Sequence, residues 1–130
     1  MLKAENKAFT LIEMILVVSM VIILSAIGTS SYSKAKNKAL SREAIANLKL
    51  IAAAERIYKM EDNFNSYVAC VDADECNTKL KLNLNTTNWT YNVILVSGNA
   101  EARAVNTTIG TYTHCSSNFD AEPELGTSCP

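Results

Sequence analysis

The sequence contains very little proline, little glycine and almost no net charge. Only 2 of its 130 residues are proline and only 4 are glycine, and no proline precedes Pro123. Because proline removes a backbone donor and breaks helices, its absence leaves the first half of the chain free to form one long helix. Lysine and arginine number 12 against 13 acidic residues, and the net charge is −1. This balance gives no sign of a nucleic-acid-binding protein.

Residues suited to zinc binding or catalysis are equally scarce. His114 is the only histidine, and the four cysteines form no C-x-x-C pair, so the sequence does not predict a zinc site. Nucleophile-elbow and phosphate-loop motifs are absent. Although His114 precedes Cys115, four cysteines at disulfide-compatible spacings argue against a Cys–His catalytic dyad. We therefore expect no enzyme and no cofactor, and interpret His114 as an ordinary histidine near the end of a strand.

One long apolar stretch dominates the N-terminal part of the chain. Residues 9–28 read FTLIEMILVVSMVIILSAIG and contain a single ionisable residue, Glu13. A helix of about 20 residues spans about 30 Å, the thickness of a bilayer's hydrocarbon core. We predict that 9–28 crosses a membrane. A carboxylate there costs about 2.5 kcal/mol or more, so Glu13 needs a partner.

The first eight residues are interpreted as a short leader on the cytoplasmic side. They include Lys3 and Lys7, which fit the excess of positive charge on cytoplasmic segments. A secretory signal would place a small-residue cleavage site after the apolar run, and no A-x-A-like site follows it. A cut near Ser25-Ala26 is the alternative.

The residues after Gly28 predict an amphipathic continuation of the helix over 29–60. Ala, Leu, Lys, Glu and Arg dominate this segment, and all are good helix formers. Apolar side chains recur at mostly helical spacing, with the basic residues mainly off their stripe: Leu40, Ala44, Leu48, Ile51, Ala54 and Tyr58. A helix of about 50 residues would be about 75 Å long, which is typical of a stalked subunit.

Residues 61–130 are predicted to form a small head with an antiparallel sheet of about three strands. Segment 89–96, WTYNVILV, has the aromatic and β-branched composition of a strand, and residues 97–99 follow it as a turn. Weaker strand candidates occupy 100–106 and 108–114. Segment 77–85 alternates polar and apolar residues and predicts either an edge strand or a short helix. The predicted fold class is α+β, with the long helix packed by the sheet.

The start of the apolar run carries a family resemblance. Residues 8–13, AFTLIE, followed by an apolar run, resemble the processing site of type IV pilins and type II secretion pseudopilins. The resemblance implies that a prepilin peptidase cuts between Ala8 and Phe9 and methylates the new N-terminus of Phe9. It also implies that Glu13 directs subunit assembly by pairing with a Phe9 ammonium, either in its own helix or in a neighbouring subunit.

The same resemblance implies a fold, a location and partners. The fold would be the pilin fold, and the precursor would lie in the inner membrane with its N-terminus in the cytoplasm. An assembly platform would then move it from the lipid bilayer into a helical homopolymer, an extracellular pilus or a periplasmic pseudopilus. The sequence departs from many pilins after Gly28, where Thr29, Ser30 and Ser31 take the place of a helix-breaking proline.

Four cysteines in a head rich in Asn, Thr and Ser favour an oxidising compartment. They allow three pairings, and we favour the two local ones, Cys70–Cys76 and Cys115–Cys129. The second resembles the C-terminal disulfide loop of many type IV pilins.

The acidic loop between the first two cysteines contains Asp72, Asp74 and Glu75. These residues resemble the loop carboxylates through which some pseudopilin heads bind calcium. Their spacing lacks the glycine and the terminal glutamate of an EF-hand loop. We therefore expect no metal site and interpret the segment as a solvated loop.

Three hypotheses follow, in order of preference. The first is a structural subunit of a type IV pilus, and the second is a pseudopilin of a type II secretion system. The third belongs to another class, a single-pass membrane-anchored binding module that never polymerises. Such a module would need neither a new N-terminus at Phe9 nor a carboxylate at Glu13.

Overall fold

A computed structural model describes residues 9–61, 65–126 and 129. Within these residues, two helices and a short 3-10 turn accompany one antiparallel sheet of four strands: α1 (Leu11–Glu61), α2 (Ala73–Lys79), β1 (Thr90–Val96), β2 (Asn99–Asn106), β3 (Gly110–Cys115), the 3-10 turn Ser116–Asn118 and β4 (Glu124–Leu125). The α+β class expected from the sequence is confirmed. The chain divides after Lys36 into an N-terminal and a C-terminal unit.

Helix α1 is 51 residues long and confirms the long helix predicted over 9–60. It continues without interruption through Gly28 and the hydroxyl residues that follow, and the Thr29 hydroxyl donates back to the Ala26 carbonyl at 3.3 Å. Glycine lowers helix propensity but keeps its backbone donor, so the helix persists where a proline would break it. The predicted end of the helix at residues 61–63 falls partly on residues 62–64, which lie outside the described residues.

The sheet of the C-terminal unit is a simple meander with the order β1-β2-β3-β4. Ser97 and Gly98 connect β1 to β2 with φ values of 52° and 82°, the pattern of a two-residue hairpin turn with positive φ at both positions. This confirms the turn predicted at 97–99. The sequence predicted about three strands, and the structure adds a fourth, in which Glu124 and Leu125 pair with β3.

The core lies between one face of α1 and one face of the sheet. The predicted apolar stripe of α1 points into it, because Ala44, Leu48 and Ile51 are fully buried. Large side chains on and beside β1 face small ones on β2, which leaves room for the helix to pack closely: Trp89, Tyr91 and Val93 against Ala100, Ala102 and Ala104.

Two side-chain hydrogen bonds fix the helix against β1. The indole N–H of Trp89 donates to the Leu40 carbonyl at 3.0 Å, and the Asn47 amide donates to the Tyr91 hydroxyl at 2.7 Å. Both aromatic residues are buried, so these bonds satisfy polar groups that would otherwise lose their contact with water.

The segment 77–85, for which strand and helix were both open, begins inside α2 and continues without regular structure. Its alternation reflects burial, because Leu80 and Leu84 are buried and Leu82 packs at the edge of the core. Asn77 holds this segment in place by accepting the Leu84 N–H at 2.7 Å through its side chain.

Two disulfides stabilise the C-terminal unit, and they join the two pairs favoured from the sequence. Cys70–Cys76 ties the middle of α2 to the strand-like segment at Cys70, which forms a backbone bridge with Val93 on β1. Cys115–Cys129 closes a loop between the end of β3 and the C-terminus. In a sheet this small, such staples supply stability that the core alone does not.

Candidate assembly site

The first part of α1 presents apolar side chains around its whole circumference. Between residues 11 and 27 the large apolar side chains are 45% exposed or more, from 45% at Met14 to 77% at Leu11. A helix that is apolar on all sides needs an apolar environment, either lipid or other helices. Its most apolar 18-residue window has a mean hydropathy of 2.6, and none of that window is buried within the protein. By length and composition α1 could therefore cross a membrane, although a signal sequence meets the same criteria.

The hydroxyl groups in this stretch make their hydrogen bonds within the helix. Ser19 donates to the Ile15 carbonyl and Ser25 to the Val21 carbonyl, each at 2.7 Å. These bonds satisfy the hydroxyl protons without water, as an apolar medium requires. Glu13 is the one ionisable side chain of the stretch 9–28, and its carboxylate takes its hydrogen bonds from Thr10.

Thr10 and Glu13 form a capping box at the start of α1. The Thr10 N–H and hydroxyl both donate to the same Glu13 carboxylate oxygen, Oε2, at 2.9 Å, and the Glu13 N–H donates to the Thr10 hydroxyl at 3.3 Å. Free N–H groups at a helix start are costly in an apolar environment, and this reciprocal pair satisfies two of them. The T-x-x-E spacing of residues 10–13 is the sequence signal for this cap, which was not among the features predicted from the sequence.

Phe9 directly precedes this cap and is 78% exposed. It stands four residues before Glu13, so the capped carboxylate lies within about one helical turn of the residue that cleavage would make the N-terminus. Ala8, the other residue of the predicted cleavage site, lies outside the described residues. The cleavage and methylation at this position remain predictions.

The acidic loop between Cys70 and Cys76 caps α2. The Asp72 side chain accepts the Glu75 N–H at 2.8 Å. In return, the Glu75 carboxylate accepts the Val71 N–H and forms an ion pair with Lys79, each at 2.7 Å. Negative charge at a helix N-terminus is favourable, so these carboxylates stabilise the start of α2. Within the described ranges no group of three or more His, Cys, Asp or Glu side chains could hold a metal ion.

The burial of two ionisable residues was not predicted from the sequence. Glu55 on α1 is fully buried, and burial raises its pKa to about 7. His114 on β3 is 2% exposed, and burial lowers its pKa, although nearby backbone groups of Leu48 and Ala121 offset part of that shift. Glu55 continues the stripe of Leu48 and Ile51 at helical spacing, which was the available signal for its burial.

A third buried ionisable residue, Glu101, holds the C-terminal loop on the face of the sheet that points away from α1. It pairs with Arg103 at 2.5 Å and accepts the Cys129 N–H at 3.4 Å. The cavities found beside Thr90, Leu50 and Leu95 are lined by none of the buried ionisable residues. The hydrogen bonds of Glu55 and Glu101 to Val68 and Cys129 each join separate segments of the C-terminal unit.

Comparisons with protein-family models, curated proteins and solved structures found no match to this chain.

Proposed function

We propose that this protein is the structural subunit of a type IV pilus, with the pilin fold, polymerised through its N-terminal helix. In this proposal a prepilin peptidase cuts after Ala8 and methylates Phe9. The observation that carries the proposal is the single carboxylate of the stretch 9–28, Glu13, which lies about one helical turn from Phe9 at the start of an exposed apolar helix.

Electrostatics supports this role. Cleavage would convert the Phe9 amide into an ammonium, so a lone subunit in lipid would hold two costly charges near one end of its helix. In a bundle of such helices, the Glu13 carboxylate of one subunit can pair with the Phe9 ammonium of the next, and the low dielectric strengthens that attraction. Thr10 already donates to Oε2 in the isolated chain, which holds the carboxylate at the helix end.

The repeated contact also accounts for a filament. The same site on one subunit would meet a different site on the next, and such head-to-tail contacts generate an open helix when they do not close into a ring. The precursor would lie in the inner membrane before an assembly platform adds it to an extracellular pilus. Two disulfides in the C-terminal unit fit a head outside the cytoplasm.

Mass spectrometry of the mature protein tests the processing step. We expect a chain that begins at Phe9 and carries one additional methyl group. The variant Ala8→Leu, which replaces the small residue before the cut, should remain unprocessed and serves as the matched control. A mature chain that keeps Met1, or one cut after Ala26, would contradict the proposal and favour the anchored binding module.

Filaments sheared from the cell surface test the location. We expect them to contain this chain in the processed form. A processed chain found only in short periplasmic assemblies would instead identify it as a pseudopilin of a type II secretion system. A processed chain that stays monomeric in the membrane would exclude both kinds of filament.

A further inference from the structure

A short segment of the C-terminal unit, residues 65–69, runs beside the last turns of α1 and leads to Cys70, and we call it the strap. It has no regular secondary structure. Its far end is fixed by the backbone bridge between Cys70 and Val93. Tyr67 and Val68 are half-buried and the other three residues are exposed, so much of the packing of the strap depends on these two.

Val68 ties the strap to α1 through the buried carboxyl group of Glu55. The Val68 N–H donates to Glu55 Oε2 at 3.0 Å, and the Glu55 side chain is completely buried. The other oxygen, Oε1, has no hydrogen-bond partner among the described residues, and within the same ranges no cation forms an ion pair with Glu55. A buried carboxylate with one hydrogen bond and no countercharge is costly when ionised, so this contact suits the protonated form of Glu55.

Lys59 stands where an ion-pair partner of Glu55 is expected, but its ammonium group contacts the strap instead. Lys59 follows Glu55 by four residues on α1, the order and spacing at which glutamate and lysine attract each other on an exposed helix. Its Nζ lies 4.4 Å from the centre of the Tyr67 ring. The strap therefore engages both residues, and lifting it would leave them free to pair in contact with water.

The other charged and titratable groups around the strap gather at the Phe119 ring. Arg56 on α1 lies 5.7 Å from the centre of that ring and pairs with Asp120 at 2.8 Å. His114 on β3 lies 5.0 Å from the same centre. From the strap, which carries no charged residue, Tyr67 packs edge-on against Phe119 at 5.9 Å. Lifting the strap would therefore uncover part of an aromatic ring that is now only 7% exposed.

From this geometry we infer that the strap is a pH-sensitive latch, which stays closed on α1 while Glu55 is protonated and opens more often once Glu55 ionises. In the closed state the carboxyl group is buried against Val68. In the open state water reaches the carboxylate, and Lys59 can leave the Tyr67 ring to pair with it. The inference goes beyond the proposed function and does not depend on it, because every contact involved lies within the C-terminal unit.

The sign of the effect follows from the protons that each state binds. Burial raises the pKa of Glu55 to about 7 in the closed state, whereas in the open, hydrated state the ordinary value of 4.5 applies. The closed state therefore holds a proton that the open state releases. The population of the open strap should rise up to about tenfold per pH unit between these values, about 300-fold in all, and then level off.

Hydrogen exchange of the Val68 amide, measured by NMR on the full-length chain in detergent micelles, tests the latch. After correction for the intrinsic pH dependence of exchange, protection of Val68 should fall as pH rises towards 7 and then level off. Glu55→Gln keeps an oxygen for the Val68 N–H but cannot ionise, so protection in this variant should stay nearly constant. Glu61→Gln removes an exposed carboxyl group from the same helix and, as the matched control, should behave like the unaltered chain.

The amide of Ala102, buried on β2, separates a local latch from unfolding of the whole unit. If the strap opens by itself, protection of Val68 lies well below that of Ala102 at every pH. Equal protection of the two amides throughout the series would show that the strap opens only with the whole unit, and would overturn the latch. Protection of Val68 that does not change with pH, or that changes equally in Glu55→Gln, would overturn it as well.

Discussion

The Glu55 carboxylate on α1 accepts a hydrogen bond from the Val68 backbone N–H at 3.0 Å, although the Glu55 side chain is completely buried. Its other oxygen, Oε1, finds no hydrogen-bond partner among the described residues. Burial raises the pKa of Glu55 to about 7, and the bond from Val68 lowers it only in part. The segment that contains Val68 is therefore held by the Glu55 carboxyl group, and the buried surroundings disfavour the ionised form of that group.

This relationship predicts that the contribution of Glu55 to stability is lost as pH rises from about 4.5 to about 7. Glu55 has an ordinary pKa of 4.5 and a folded-state pKa of about 7, so within this window the folded state binds more protons than the unfolded state. The Glu55 contribution to the free energy of unfolding should fall by up to about 3 kcal/mol across the window and then level off. Urea denaturation in mild detergent, followed by circular dichroism at several pH values, measures this loss.

The variant Glu55→Gln isolates the contribution of that carboxylate. Glutamine keeps an oxygen for the Val68 N–H but cannot ionise, so the variant should show a much smaller loss of stability between pH 5 and pH 8. Glu124→Gln, at an exposed position on β4, is the control and should retain the full pH dependence. An unchanged pH dependence in Glu55→Gln would contradict the assignment.

His114 predicts a pH effect of the opposite sign. Burial lowers its pKa below the ordinary 6.5, so the folded state binds fewer protons than the unfolded state as pH falls below about 6.5. The His114 contribution is present above that value and is lost on acidification. His114→Phe should remove this acid-side loss, and the new ring would stay beside Phe119, whose ring centroid lies 5.0 Å from the imidazole. The same denaturation series measures it, and a steeper acid-side loss in the variant would argue against the prediction.

The disulfide Cys115–Cys129 is expected to be a main source of stability for the sheet. It spans 14 positions, and closing a loop of that size contributes about 3 kcal/mol. The double variant Cys115→Ala and Cys129→Ala should lower the free energy of unfolding by about that amount. It should also loosen the contact between Glu101 and the Cys129 N–H. Hydrogen exchange at β3 measures the local effect, with β1 amides as the internal reference.

The fold was largely predictable where local pattern and tertiary packing agree. The continuous helix through Gly28 followed from the absence of proline, and the stripe at Ala44, Leu48 and Ile51 followed from helical spacing. The strand β4 was not predictable in this way. Its two residues, Glu124 and Leu125, are held only by pairing with β3, and their sequence has no periodicity of its own.

The ionisable residues show a different limit. Glu55 was not predicted to be buried, although it follows Leu48 and Ile51 at helical spacing, because residue type alone predicts a solvated carboxylate. The Val68 N–H that meets it lies 13 residues further along the chain. The Thr10–Glu13 cap, in contrast, is encoded locally by the T-x-x-E spacing, so it was predictable from the sequence alone.

Glu13 has two separable roles in this proposal: it caps the start of α1, and its charge pairs with the Phe9 ammonium. A pair of variants distinguishes the two roles. Glu13→Gln retains a side chain that can complete a capping box but carries no charge. Glu13→Ala removes both the cap and the charge. If the carboxylate acts by pairing with a Phe9 ammonium, the two variants should impair filament assembly alike, with cleavage after Ala8 intact in both.

Thr10→Val completes the comparison, because it removes the capping hydroxyl and keeps the charge of Glu13. Loss of an N-cap side chain typically costs about 1 kcal/mol, so this variant should fray the start of α1 and reduce assembly only modestly. Sheared-filament yield, normalised to the processed chain in the membrane, is the measurement for all three variants. Near-normal filaments from Glu13→Gln together with failure of Thr10→Val would show that Glu13 serves as a helix cap, and the charge-pairing mechanism would have to be abandoned.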